Sequence, residues 1–459
     1  MLTLVFRRAA LSILCVAALA CLLPAHVFAT TVAVFPPGSS NCTNLASYST
    51  ISDAVAHVPA GSTIKICPGT YNEQVVITSS LTLIGESATG TAGATASGPN
   101  NPVIASPMAG VALNAADLFT GQPIGAQILV AGGTVNISNI TVDGTNNNVS
   151  NEGQGACYNN IIGILYQNAS GTLDHVVARY QELPTALFGC QDGDGIFAQS
   201  TAATVAAGPT LTIENSSVHD YDKNGITAVG DMTISIKGNY VVGIGATTLI
   251  AQNGIQVSYG SVGNVENNTV TDDVYINPAD CQSNDSCYAA SAILIYDTAA
   301  TEANPVTISG NTVSNAQLPI STSADSSTTA DWNAVTSNKI TYAATAGPYQ
   351  DDAIDLCSNN NKANSNTIFN ASGAGVHLDS SCTEGGNPTG LSSTAASNTV
   401  NEACAGVLTG DNAVGVATGT VTYNVVEVTS TGDTCPAGNG SPDLRTTRKS
   451  RPQLRPIRH

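Results

Sequence analysis

ISDAVAHVPAGSTIKICPGTYNEQVVITSSLTLIGE, residues 51–86, changes period partway along. Ile51, Ala54, Val55 and Val58 recur at i, i+3, i+4 and i+7, the stripe of an amphipathic helix, and Pro59 and Gly61 stop it. Alternation follows at once. Ile64 and Ile66 flank Lys65, Val75 and Ile77 flank Val76, Leu81 and Leu83 flank Thr82, and Pro68-Gly69 marks a turn. A short helix therefore precedes an array of short strands, as a lid would at an otherwise open end.

Two submotifs extend this pattern along the chain. The first is a small residue before Ile or Val: Gly163-Ile164, Gly195-Ile196, Gly225-Ile226, Gly254-Ile255, Ala292-Ile293, Ala353-Ile354, Gly375-Val376 and Gly406-Val407. The second is Asn-x-Val/Ile or a near relative, at Asn239, Asn268, Asn311, Asn338, Asn366 and Asn398, with weaker copies at Asn139, Asn215 and Asn424. Intervals of roughly 22–43 residues between like motifs predict one solenoid coil per interval. The gap from Ala292 to Ala353 then holds two coils, with Leu318-Pro319-Ile320 as the degenerate copy. Residues 87–114 lack the repeat and predict a long loop, and 277–290 and 322–332 predict shorter insertions.

The 51–86 stretch resembles the N-terminal cap and first coil of the pectin-lyase-like proteins, which include pectinesterases, polygalacturonases and polysaccharide lyases. The resemblance implies an all-β chain, a single right-handed parallel β-helix with a short N-terminal capping helix. Composition agrees: 10% of the 459 residues are charged, 5% are aromatic and 43 are Gly.

Residues 1–29, with Arg7-Arg8, an apolar run and Val27-Phe28-Ala29, predict a secretory signal peptide. The run is too short for a transmembrane span. Cys21 after Ala-Leu-Ala is a minor candidate for a lipid anchor. The expected domain is 30–440, secreted, periplasmic or extracellular, and monomeric, with 441–459 a disordered basic tail. Beyond the leader stand ten cysteines, for which export and coil locality predict five sequential disulfides: 42–67, 157–190, 281–287, 357–382 and 404–435.

The net charge of −19 hides an acidic body, since from 30 to 442 the only Lys and Arg residues are Lys65, Arg179, Lys223, Lys237, Lys339 and Lys362. Nucleic acid is a poor partner for such a surface. A polysaccharide partner is expected to be neutral, or acidic with calcium bridging it.

In stacked coils a site is a vertical column, so register locates it. Placing Ile and Val inward sets Phe197, Thr227, Gln256, Leu294, Asp355, His377 and Leu408 on one outward column. Asp355 and His377 become neighbours, with Asp351 and Asp352 before one strand and Asp379 two residues beyond His377. These five are the candidate catalytic residues, since crowded carboxylates shift one another's pKa or bind a cation.

Gln350-Asp351-Asp352-Ala353-Ile354 resembles the Asp-Asp strand motif of polygalacturonases, which implies paired-carboxylate glycoside hydrolysis. The chain departs from that family in carrying Ala374 where the family places His, and in lacking its Asn-Thr-Asp and Arg-Ile-Lys motifs. Polysaccharide lyases of this fold imply an Arg or Lys base and calcium on stacked acids. Arg179 is then the second catalytic candidate, and Asp192, Asp194 and Asp222, near Asp220, are candidate calcium ligands. No phosphate loop, nucleophile elbow or cofactor fingerprint occurs, so no other cofactor is implied. The sequence predicts a secreted β-helix that binds or processes a polysaccharide as a hydrolase or lyase. Its rival is a non-catalytic scaffold for adhesion or glycan binding, which the missing family motifs favour.

Overall fold

The structure, a computed structural model, describes residues 28–39, 41–86, 101–149, 157–201, 208–276, 289–324, 332–342, 352–371, 373–379, 383–384, 387–388, 392–403, 405–409, 420–422 and 425–428. Three parallel sheets of 14, 12 and 12 strands account for nearly all of it, and each coil gives one strand to each sheet in turn. Thr210–Glu214 lies in the first sheet, Ser217–Tyr221 in the second and Asn224–Gly230 in the third, and Thr233–Lys237 then pairs with the strand it began from. The architecture is all-β, a parallel β-helix.

Each submotif has a packing cause. In the third sheet Ile164, Ile196, Ile226, Ile255, Ile293, Ile320, Ile354 and Val376 stack in register and face inward. The residue before each is also buried at the corner, and it is Gly or Ala in every coil except the degenerate one, where Pro319 stands. A Cβ on Gly225 would stand 2.5 Å from Val241 Cγ1, inside van der Waals contact.

The Asn submotif is a buried ladder along the corner between the first two sheets. Asn239 N donates to Asn268 Oδ1 (2.9 Å), Asn268 N to Asn311 Oδ1 (2.9 Å) and Asn311 N to Asn338 Oδ1 (2.9 Å), and the series continues through Asn366 to Asn398. Each side-chain N–H also meets a carbonyl one coil away, as Asn268 Nδ2 meets Ile236 O (3.0 Å), so every buried corner amide is satisfied.

Asn139 and Asn215 are not rungs of this ladder. They occupy the preceding left-handed corner, at φ 59° and 50°, where Asn is tolerated for its own reason. Asn424 lies outside the described residues.

The helix forms at Ile51–His57 with Ile51 and Ala54 buried against the first strands. Thr50 caps its N-terminus, and Glu73 Oε1 and Oε2 accept from Ile51 N (2.8 Å) and Ser52 N (2.9 Å). Among the described residues it is the one α-helix, beside a 3-10 turn at Thr185–Leu187.

Leu318–Ser323 fills the third-sheet place expected of the degenerate coil. The expected long loop is corrected: within 87–114 the segment Pro102–Ala105 is a second-sheet strand between Gly69–Asn72 and Thr141–Asp143, held by buried Pro102 and Ile104. Its residues, Pro-Val-Ile-Ala, are apolar throughout and show no alternation.

Disulfides join Cys42 to Cys67 and Cys157 to Cys190, as expected. Cys357 is also disulfide-bonded. Cys281, Cys287, Cys382, Cys404, Cys435, the leader to residue 27 and the basic tail lie outside the described residues. So do most of the two shorter insertions. No helix among the described residues is long and apolar enough to cross a membrane.

Candidate functional site on the third sheet

Around the corner residues, the third sheet presents three outward columns. The central one runs Leu165, Phe197, Thr227, Gln256, Leu294, Ser321, Asp355, His377 and Leu408. This is the column read from the sequence, with Ser321 supplying the degenerate coil. At its N-terminal end Leu165 and Leu129 are buried in a small apolar cluster with Ala115 of the overlying segment. Further along, Gln256, Leu294, Ser258 and Tyr296 line the face, and Tyr259, 54% exposed, meets Tyr296 edge-on at 5.2 Å between ring centroids.

Asp355 lies opposite His377 on adjacent strands. His377 Nδ1 stands 2.8 Å from Asp352 Oδ2, and Asp352 Oδ1 accepts from Ala374 N, which fixes the carboxylate. On the far side of the ring, His377 Nε2 is 3.8 Å from Asp379 Oδ1 and makes no hydrogen bond.

Burial alone would lower the His377 pKa. The charge and hydrogen bond of Asp352, followed by the charges of Asp379 and Asp355, more than reverse this and raise it to about 10. The ring is therefore a cation at neutral pH, set among carboxylates. Ligand atoms of Asp352, Asp355 and His377 all lie within 4.8 Å of one another, as do those of Asp355, Cys357 and Asp379. Asp351 lies outside the described residues.

The second acidic set sits some five coils away, ~24 Å along the axis. Asp194 precedes the inward pair Gly195-Ile196 as Asp352 precedes Ala353-Ile354, so the two occupy equivalent places in their coils. Asp194 accepts from Asn160 Nδ2 (2.9 Å) and Asn224 Nδ2 (2.7 Å), Asp192 from Gln122 Nε2 (2.9 Å), and Asp222 from Leu183 N (2.6 Å).

Burial pushes Asp192 up to about 6, Asp194 to about 7 and Asp222 to about 8, with mutual repulsion adding to the last two. Burial lowers the neighbouring Lys223 to about 8 while it donates to Ala251 O (2.6 Å). Amide N–H groups bond both oxygens of Asp194 and one oxygen each of Asp192 and Asp222, Asp222 Oδ1 is buried with no hydrogen-bond partner, and the three residues belong to neither close-spaced ligand group among the described residues. The burial that raises these pKa values favours the protonated carboxyls near neutrality.

Arg179 stands apart, on the outer face of the second sheet. Its Nε and Nη2 each lie 2.9 Å from Asp143 Oδ2 in the adjacent strand, and its guanidinium rests 5.5 Å from the Tyr180 ring centroid. Asp220, on the same sheet, pairs with His219 Nδ1 at 2.5 Å. Sequence reasoning missed the amides around Asp194, although register gives Asn224 directly. It also missed the buried Tyr221–Asp273 hydrogen bond (2.8 Å), which joins residues 52 apart in sequence.

No protein-family model and no curated protein matches the chain. Among solved structures it is similar to a GH136 lacto-N-biosidase from Eubacterium ramulus, at a TM-score of 0.51 and 12% identity over 87% of this chain and 68% of that one. It is also similar to the A-module of the Azotobacter vinelandii mannuronan C-5 epimerase AlgE4, at 0.38 and 15% over 83% and 92%. A third is a family 28 exopolygalacturonase from Yersinia enterocolitica, at 0.36 and 10% over 88% and 79%. The likeness is one of fold: the chain is a parallel β-helix.

Proposed function

We propose that the chain is a secreted carbohydrate-active β-helix that holds a neutral glycan along the outward face of the third sheet and processes it at Asp352, Asp355, His377 and Asp379. The observation that carries this reading is the meeting of Asp355 and His377 on adjacent strands, with Asp352 and Asp379 on either side of the imidazole ring.

The amide and phenol groups of Gln256 and Tyr296 suit sugar hydroxyls, and the exposed Tyr259 ring offers an apolar face for a pyranose. Asp355 and Asp379 supply the carboxylates that glycosidic cleavage uses, and His377 provides a fixed positive charge between them. The body's shortage of cations argues against an unbridged polyuronate. Disulfides at Cys42–Cys67 and Cys157–Cys190 support export through the leader at 1–29.

The test is a screen of the full chain against neutral plant and animal glycans, pectin and alginate, with Asp355→Asn and His377→Gln beside the wild type. Processing or binding of a neutral glycan that both substitutions abolish, with strand circular dichroism intact, supports the reading. Activity that survives both places the site elsewhere on the helix.

A further inference from the structure

One corner at the margin of the third sheet breaks its own residue rule. Gln167, Val229, Ser258 and Tyr296 stand in register along the column, and the residues that follow them are Asn168, Gly230, Tyr259 and Asp297, at φ 49°, 86°, 51° and 47°. Gly, Asn and Asp tolerate this left-handed backbone, and a bulky side chain there is strained. Tyr259 is the exception. Its ring meets Tyr296 edge-on at 5.2 Å between centroids, yet the residue stays 54% exposed. Tyr180, another tyrosine in a left-handed corner, has the Arg179 guanidinium 5.5 Å from its ring centroid. A strained backbone beneath an exposed ring points to a use for the ring.

A further ring reaches this margin from another segment. The turn at 117–121 crosses the face just N-terminal to the corner, held by Leu118 N donating to Gln199 Oε1 (3.3 Å) and Phe119 N donating to Asp117 Oδ1 (2.9 Å). It sets Phe119, 51% exposed, with its ring tip at Gly230, where a Cβ would stand 2.6 Å from Phe119 Cζ. Phe119, Tyr259 and Tyr296 therefore follow one another on successive coils. From Tyr296 the register leads through Ser323 to Cys357, whose Sγ is 3.3 Å from Asp379 Oδ2.

We infer that Tyr259, Tyr296 and Phe119 form a stacking subsite for a neutral pyranose, by which the chain selects oligosaccharides longer than a disaccharide. Three strand spacings separate Tyr259 from Asp355 and four separate it from His377, about 14 and about 19 Å. A disaccharide is too short to engage both ends of that span. Asp297 and Asp231, which lies against Gly260, flank the rings; their carboxylates accept from sugar hydroxyls and repel anionic ligands. A protein partner needs about 800 Å² on each side, more than a single row of rings offers. The row also runs on into the face of Gln256 and Tyr296, so the inference rests on the glycan reading above and adds to it the length and remote contact of the substrate.

Full-length wild type and, to exclude turnover, Asp355→Asn are titrated by calorimetry with neutral hexasaccharides of the cellulose, xylan, mannan and amylose types and with their disaccharides. One or more hexasaccharides should bind one to one, and the matching disaccharide about 10-fold more weakly. Tyr259→Asn, which suits the left-handed corner, should lower hexasaccharide affinity about 10-fold with the melting midpoint kept or raised. Tyr259→Phe should bind as the wild type does, and Phe119→Ala should weaken binding by a smaller factor.

Binding lost in Tyr259→Asn beside processing that survives Asp355→Asn supports the subsite and sinks the reacting site alone. Processing lost in Asp355→Asn beside unchanged binding in Tyr259→Asn sinks the subsite alone. A lowered midpoint in Tyr259→Asn, which would make the ring a packing element, also overturns the inference, as does equal affinity for the two lengths or the failure of every hexasaccharide to bind.

Discussion

Asn268→Ala tests the corner ladder at its most connected rung. Asn268 Oδ1 accepts from Asn239 N (2.9 Å) and Asn239 Nδ2 (3.0 Å), while Asn268 Nδ2 donates to Ile236 O (3.0 Å) and Asn311 Oδ1 (3.0 Å). Truncation removes all four bonds at a position 1% exposed, so water does not replace them. Asn311 keeps its backbone donor from residue 268 and its contacts to Val265 O and Asn338, and Asn239 Nδ2 still reaches Ile213 O. The groups stranded are the Asn239 N–H and, in part, the Ile236 carbonyl.

At about 1–3 kcal/mol for each buried group left unsatisfied, the expected loss is about 2–5 kcal/mol. Asn267→Ala, one residue earlier, is the control. That position is a left-handed corner at φ 55°, where losing Asn's tolerance costs about 1–2 kcal/mol without breaking the ladder. Urea unfolding followed by circular dichroism at constant m-value gives both numbers. If Asn268→Ala loses no more than Asn267→Ala, the ladder is not what holds this corner.

Gly225→Ala should destabilise by about 1–3 kcal/mol, read by the same unfolding assay, because the new methyl meets Val241 Cγ1 and the Gly254 carbonyl. Asp194 and Asp222 should give the opposite pH trend from ordinary carboxylates. Their folded pKa values, about 7 and about 8, lie above the unfolded value near 3.9, so the folded state binds more protons between these limits. Their stabilising contribution is complete below about pH 4 and is lost as pH rises to about 8. The difference in unfolding free energy between wild type and Asp222→Asn should therefore shift in favour of the variant from pH 5 to pH 8, and a flat difference would refute the assignment. Glu73→Gln should weaken the start of the Ile51–His57 helix by about 0.5–2 kcal/mol, visible as faster amide exchange at Ile51 and Ser52.

Periodicity makes the coils legible, because one inward residue type recurs at one corner, and the same register sets Asp355 beside His377. Contacts between non-repeating segments were hidden. Pro102–Ala105 was lost inside a low-complexity stretch, and the segment that covers Leu129 and Leu165 carries no signal of where it lies. The Asp194 set reads as turn residues in sequence, since nothing local shows that Asn160 and Asn224 bury it. Arg179 reads as a base until Asp143, 36 residues earlier and in register, is seen to hold it. The two Asn types separate only by backbone angle: Asn239 and Asn268 are rungs, while Asn139 and Asn215 are corners.

The central claim is that the Asp355–His377 cluster is where a glycan is processed. It is tested most directly by measuring kcat/KM on the best neutral glycan from the screen for wild type and Asp355→Asn, with melting midpoints matched. A fall of about 100-fold or more is predicted for loss of a reacting carboxylate. A variant that retains wild-type kcat/KM would contradict the account.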